Sequence, residues 1–177
     1  MKLLRVILLL VVMIGGTSCN SMKPREFANA KPLFDPTQFF TGQTNSTGVM
    51  ENRRGAPQQI VTTQTMGRWV GNSLHLEQNL AFSGGKKQHR SWQLRRLDAH
   101  HFEGRANDVS GPIRGEAYGN VFHWSFILML SPGNPLMNVR MSQWMYLQPD
   151  GRTMLNHSTI TKWGVVVSQV TEQFSKN

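Results

Sequence analysis

From Thr44 to the C terminus, apolar side chains recur at every second position in short runs. Leu74, Leu76, Leu80 and Phe82 alternate with His75, Glu77, Asn79 and Ala81, and Gln78 breaks the apolar series once. Trp92 and Leu94 alternate with Ser91, Gln93 and Arg95, and Phe122, Trp124, Phe126, Leu128 and Leu130 form a further row. Met137, Val139, Met141, Met145 and Leu147 form another, interrupted by Gln143; Trp163, Val165 and Val167 open the last. A period of two means strands with one buried face. Gly71-Asn72, Gly84-Gly85, Gly119-Asn120, Pro132-Gly133-Asn134-Pro135 and Pro149-Asp150-Gly151 separate the runs, where turns belong. No stretch after residue 42 has the pattern of a long amphipathic helix. The expectation is an all-β domain, an antiparallel up-and-down barrel of about eight to ten strands, because closing the meander removes exposed edges. A barrel of that size holds side chains or one small ligand in its lumen.

One helical turn precedes the strands. In Asp35-Pro36-Thr37-Gln38-Phe39-Phe40-Thr41-Gly42, Asp35 can cap, Pro36 suits the first helical position and Gly42 can terminate. Phe39 and Phe40 would pin that turn onto the domain and close one end of the barrel. Gly111, Gly115 and Gly119 recur every four residues, which in strands marks bends or close backbone approach.

The N terminus has a different character. Lys2 and Arg5 precede an apolar run, Val6 to Ile14, too short to span a bilayer as a helix; small residues then lead to Cys19, the only cysteine of the 177 residues. This is the pattern of a bacterial lipoprotein signal. It predicts cleavage after residue 18, a diacylglycerol- and palmitate-bearing Cys19, a lipidated tether over 19–33 rich in Asn, Ser, Lys, Pro and Ala, and one domain over 34–177. Asn20 lacks the aspartate that retains lipoproteins in the inner membrane of Gram-negative bacteria, which points to an outer-membrane anchor facing the periplasm. A plain cleaved signal with a chance cysteine is the alternative. Two cations leave with the leader, lowering the formal charge of +9 by two. With one cysteine, an intramolecular disulfide is excluded.

Several words along the chain resemble a family of Gram-negative lipoproteins of unknown function with a lipocalin-like domain. They are Phe39-Phe40-Thr41-Gly42, Trp92-Gln93-Leu94-Arg95-Arg96, Phe102 to Gly111, Arg114 to Asn120, Trp144-Met145-Tyr146-Leu147-Gln148 and Lys162-Trp163-Gly164-Val165. The resemblance spans almost the whole mature chain and implies fold and location, with no activity attached. It would also place an acidic residue directly before Trp144, where this chain has Gln143.

Candidate chemistry is sparse. Asp108, Arg114 and Glu116 flank the Gly-rich bend and could form a polar site at a barrel mouth with a carboxylate as acid or base, or a structural ion-pair network. Arg90, Trp92, Arg95 and Arg96 interleave cations with an aromatic; in the periplasm anionic lipid headgroups are available partners and nucleic acid is not, and a charged strand edge is the simpler alternative. The six histidines show no metal-binding spacing, so neither metal nor cofactor is implied. Met137, Met141 and Met145 share one strand face, as flexible lining for varied apolar ligands or as core filler. The leading expectation is a lumen lined by Trp92, Phe122, Trp124, Phe126, Met141, Met145 and Trp163, with Tyr146 and Arg114 as polar contacts, taking a lipid-like or other apolar ligand. A lumenal esterase or isomerase using Asp108 or Glu116, and an envelope scaffold with a packed interior, are the alternatives. Nothing in the pattern specifies an oligomeric state.

Overall fold

Ten antiparallel strands follow one another around a closed barrel. The structure, a computed structural model, describes residues 21–177. The leader and Cys19 lie outside the described residues. The strands are β1 Gly42–Asn52, β2 Pro57–Val70, β3 Ser73–Phe82, β4 Lys87–Arg96, β5 His101–Ala106, β6 Ile113–Tyr118, β7 Val121–Leu128, β8 Val139–Leu147, β9 Thr153–Lys162 and β10 Val165–Lys176. Each pairs with the next, and β1 closes on β10 from Thr44 opposite Lys176 to Asn52 opposite Ser168. The sheet therefore closes within residues 21–177. Among the described residues no helix is long and apolar enough to cross a membrane.

Antiparallel order sorts the connections onto two ends. The hairpins after β1, β3, β5, β7 and β9 surround one end, called the mouth. The hairpins after β2, β4, β6 and β8 surround the other, which is plugged. Helix α1, Pro36–Phe39, forms because the Asp35 carboxylate accepts the N–H groups of Thr37 (2.9 Å) and Gln38 (3.4 Å) and the Thr37 hydroxyl (2.7 Å). These bonds occupy donors that a helix start otherwise leaves unpaired. The expected helical turn is thus present, and its phenylalanines close the barrel. Phe39 and Phe40 meet edge to face at 5.1 Å, Phe40 meets Phe174 at 5.8 Å, and Phe34 meets Phe122 at 6.2 Å. Gly67 is required here, since a Cβ on it would lie 1.8 Å from the Phe40 carbonyl oxygen.

Part of the expected tether is held against the barrel. A 3₁₀ turn at Pro24–Phe27 packs on β6 and β7. Gly119 admits it: its φ is +56°, and a Cβ would sit 1.8 Å from the Phe27 carbonyl oxygen.

Two apolar rows end differently from their pattern. Met137 closes a 3₁₀ turn at Pro135–Met137 in the β7–β8 connection and is exposed, so the methionine face begins at Val139. Trp163 is in the β9–β10 turn and not in a strand. A bulge between Val166 and Ser168 then shifts the phase of β10, so the inward row is Val170, Glu172 and Phe174 and does not continue Trp163, Val165 and Val167.

Candidate ligand site

The lumen holds a cavity of about 430 Å³, within the range of small-molecule sites. Its deepest wall is aromatic. Trp92 of β4 stacks on Trp124 of β7, centroids 5.0 Å apart and planes at 17°, and Phe126 stands edge-on to both at 5.6 and 5.8 Å. Neighbouring strands give these rings room by carrying small inward residues. A Cβ on Gly104 of β5 would lie 2.9 Å from the Trp124 ring, and one on Gly115 of β6 would lie 2.5 Å from Phe122. Met141 and Met145 of β8 are buried on the same lumen. Toward the mouth the lining includes Val61, Leu80, Leu128 and Ile160.

The indole N–H groups are tied back into the wall. Trp92 donates to the Gln78 side-chain oxygen (2.8 Å), and the Gln78 amide donates to the Thr65 hydroxyl (3.1 Å). Trp124 donates to Gln143 (2.6 Å), whose amide donates to the Ser158 hydroxyl (3.0 Å). Asn156 donates to both Ser158 and the Glu172 carboxyl, each at 3.1 Å, and the Ser46 hydroxyl donates to the other Glu172 oxygen at 3.1 Å. One hydrogen-bonded girdle thus runs over β7, β8, β9, β10 and β1. A Cβ on Gly48 would lie 2.4 Å from Glu172 Cγ, so glycine on β1 makes space for that acid. Burial pushes the Glu172 carboxyl above its usual range, while the bonds from Asn156 and Ser46 and the positive charge of Arg90 pull the other way. The buried Asn156 Oδ1 and Thr44 Oγ1 have no protein partner.

Arg90 faces the lumen from β4, where its Nε donates to Asp108 at 2.7 Å and its guanidinium lies 5.7 Å from the centre of Trp92. Asp108 is therefore half of an ion pair in the β5–β6 connection.

The structure divides the expected site residues. Trp92, Phe122, Trp124, Phe126, Met141 and Met145 are together around the lumen. Five others, Arg114, Glu116, Tyr146, Trp163 and Asp108, are not. Arg114 faces outward, with Nη2 3.1 Å from Glu103, and Glu116 lies on the same outer face of β6 beside His123. The inward positions of β6 are Ile113, Gly115 and Ala117, so the parity that admits the Phe122 ring excludes Arg114 and Glu116 from the lumen. Tyr146 is on the outer face of β8 and packs edge-on against Phe27 at 6.3 Å; burial raises its phenol pKa. Trp163 is 84% exposed. Asp108 and Glu116 thus sit at the mouth and on the outer wall, and do not converge on one substrate. Arg95 points outward and pairs with Glu103, whereas Arg96 is on the inward row of β4 at its plugged end, over the Phe102 ring and paired with Asp35. On that outer wall burial lowers the pKa of His123, whose Nε2 is 3.0 Å from the Ser142 hydroxyl. Among the described residues no group of three or more His, Cys, Asp or Glu side chains is placed to hold a metal ion.

Strand parity contains a signal for the lumenal placement of Arg90 and Gln143. Arg90 is two residues before Trp92 and shares its face. Gln143 is between Met141 and Met145 on the inward row and is paired in register with Ser158. Reading inward as apolar hid the girdle.

Among curated proteins no significant relative was found. Among solved structures, an S-type phycobiliprotein lyase from Guillardia theta aligns with a TM-score of 0.59 at 9% identity, covering 80% of this chain and 90% of its own. A redesigned beta barrel, mFAP1, aligns with a TM-score of 0.40 at 11% identity, over 79% of this chain and 97% of that one. The lyase likeness shows a shared barrel fold. At the level of sequence families, residues 12–176 match the family described as Protein of unknown function (DUF3833), and the chain belongs to that family.

Proposed function

We propose that this protein is a lipoprotein anchored to the outer membrane through Cys19, facing the periplasm, whose barrel binds a lipid-like or other apolar ligand. One observation carries the binding half: a cavity of about 430 Å³, lined mainly by apolar and aromatic side chains, plugged at one end and open at the other. A scaffold barrel has no use for such a void, because unfilled apolar volume costs stability. The likeness to a protein named as a phycobiliprotein lyase supports the barrel and leaves the ligand to be found. The leader and the lone Cys19 support the anchoring half.

The binding test is saturable uptake of an uncharged, environment-sensitive naphthylamine dye by the domain of residues 21–177, and its displacement by long-chain lipids. Trp124→Ala, assayed well below its melting temperature, should weaken uptake by about tenfold or more, because it removes the largest apolar face of the wall. An unsaturable dye signal, equal for both proteins, would leave the scaffold reading in place. For the anchor, Cys19→Ser should abolish outer-membrane fractionation of the processed protein; normal cleavage and normal fractionation would refute it.

A further inference from the structure

Exposed apolar side chains occur at both ends of the barrel, Leu33, Trp69 and Val70 at the plugged one, but the two most exposed, Trp163 and Leu136, are at the mouth. Leu130 and Leu136 of the β7–β8 connection, Trp163 of the β9–β10 turn and Val165 beside it are 54%, 74%, 84% and 58% exposed. Their neighbours on the same end are cations. Arg53 and Arg54 form the tip between β1 and β2, Lys86 and Lys87 the turn into β4, and Lys162 the last residue of β9. Against these five cations stand Asp108 in the β5–β6 connection, its charge already matched by Arg90, and Glu51 at the mouth end of β1. At the plugged end the charges balance, Lys23, Arg25, Lys31 and Arg152 against Glu26, Asp35, Asp98 and Asp150.

Trp163 is the unusual member. With Gly164 it makes the β9–β10 turn with positive φ at both residues, +49° and +81°. Such a turn prefers Asn-Gly, because a bulky residue is strained there. Here the strain is not repaid by packing, since the indole projects into solvent. Trp69 at the other end is also exposed, but its Nε1 donates to the Thr41 hydroxyl at 3.1 Å. Lys162 holds the mouth platform together: its ammonium donates to the Leu136 carbonyl oxygen at 2.6 Å and lies 5.0 Å from the centre of the Trp163 ring. An indole, aliphatic tips and a collar of cations on one face match the layers of a bilayer surface, where indoles favour the interface and Lys and Arg meet anionic headgroups.

We propose that the mouth docks onto an anionic lipid bilayer, with Trp163, Leu136 and Leu130 inserted at headgroup level and Arg53, Arg54, Lys86 and Lys87 on the phosphates, so that the lumen opens toward the membrane surface. This surface is separate from the anchor at Cys19 and does not depend on what the lumen binds.

The test is co-sedimentation of residues 21–177, which carry no lipid, with vesicles of phosphatidylcholine alone or containing one third phosphatidylglycerol. Binding is expected to the anionic vesicles, at least tenfold weaker to the neutral ones, and to fall with added salt. Arg53→Glu with Arg54→Glu should lower it by tenfold or more and Trp163→Ser by about fivefold, with thermal melts confirming that both variants fold. Arg152→Glu, in the β8–β9 hairpin at the plugged end, should leave it unchanged. Absence of binding, equal binding to both vesicle types, or an equal loss with Arg152→Glu would each overturn the proposal. Protein captured on lipid-free beads carrying an acidic polymer as tightly as on vesicles, with no effect of Trp163→Ser, would do the same, because the collar would then be a general anion exchanger.

Discussion

The two ends of the barrel are built from similar residue types put to opposite use. At the plugged end, Phe34, Phe39, Phe40 and Phe174 are each at most 6% exposed and meet edge to face. At the mouth, Leu136, Trp163 and Val165 face water. The mouth also has a capped turn, at Pro135–Met137, and an ion pair to β4, Asp108–Arg90. At the plugged end, however, the capped helix seats Phe39 and Phe40 over the lumen, Gly67 lies under its carbonyl, and Asp35–Arg96 ties the cap to β4. Hydrophobicity alone therefore does not fix which end is closed. The local means of covering the backbone and the rings does.

The largest effect should separate the ends by stability. Phe40→Ala is expected to cost about 3–5 kcal/mol, the usual penalty for emptying a buried aromatic site. Leu136→Ala should stay within about 0.5 kcal/mol, as for exposed positions without special contacts. Chemical denaturation of both variants checks this. Comparable losses would mean the mouth is more tightly packed than its exposure indicates.

The cap comes next. Asp35→Ala removes the acceptor for two helix N–H groups and the partner of Arg96, and should cost about 1–2 kcal/mol. Asp35→Asn keeps the acceptor and loses the charge, so it should recover most of the difference. Equal destabilisation by both would assign the effect to the ion pair instead of the cap.

The plugged end was more legible in sequence than the mouth, and the reason is physical. Asp35-Pro36 states its own local structure, because a short side chain beside a proline can do little except start a helix. The rows at 74–82, 92–94, 122–128 and 139–147 placed their lumenal residues correctly, since parity persists while a strand is regular. Parity fails wherever the chain adds a residue or turns. That is why Met137, in a 3₁₀ turn, and Trp163, before a bulge, were read into rows they do not join. Arg114 and Glu116 depart from the expectation for another reason: the small residues Gly115 and Ala117 decide the phase of β6 and turn both charges outward. The girdle of Ser46, Asn156, Ser158 and Glu172 is not legible in the sequence because it depends on partners far apart in the chain, Ser46 and Glu172 being 126 positions apart.

Glu172 allows a comparison between the lumen and the outer surface by pH. Its folded pKa is raised above the ordinary value of 4.5, so the stability it contributes is fully present below that value and lost as pH rises through the folded pKa. The exposed Asp98, held at about 2 by the backbone N–H groups of His100 and His101 and the His101 side chain, has the opposite sign and loses its contribution only on strong acidification. Glu172→Gln should therefore become progressively more stable relative to the native protein as pH rises from 4.5, and Asp98→Asn should show no such trend over that range. Urea melts at a series of pH values measure both. A flat difference for Glu172→Gln would mean that the carboxyl stays charged and fully compensated by Arg90, Asn156 and Ser46.

The smallest effect is also the one that distinguishes a mouth shaped for folding from one shaped for contact. Trp163→Asn places the preferred residue at the first position of a turn whose φ is +49°. Relief of that strain outweighs the exposed cation–π contact with Lys162, so the variant should gain about 0.5–1 kcal/mol, read as a rise in melting temperature. The same variant should bind anionic vesicles less well than the native domain. A gain in stability coupled to a loss of membrane binding is expected where a strained residue is kept for contact and not for packing. If Trp163→Asn instead destabilises the domain, the indole supports the fold, and the contrast between a packed end and a contact end loses its most exposed example.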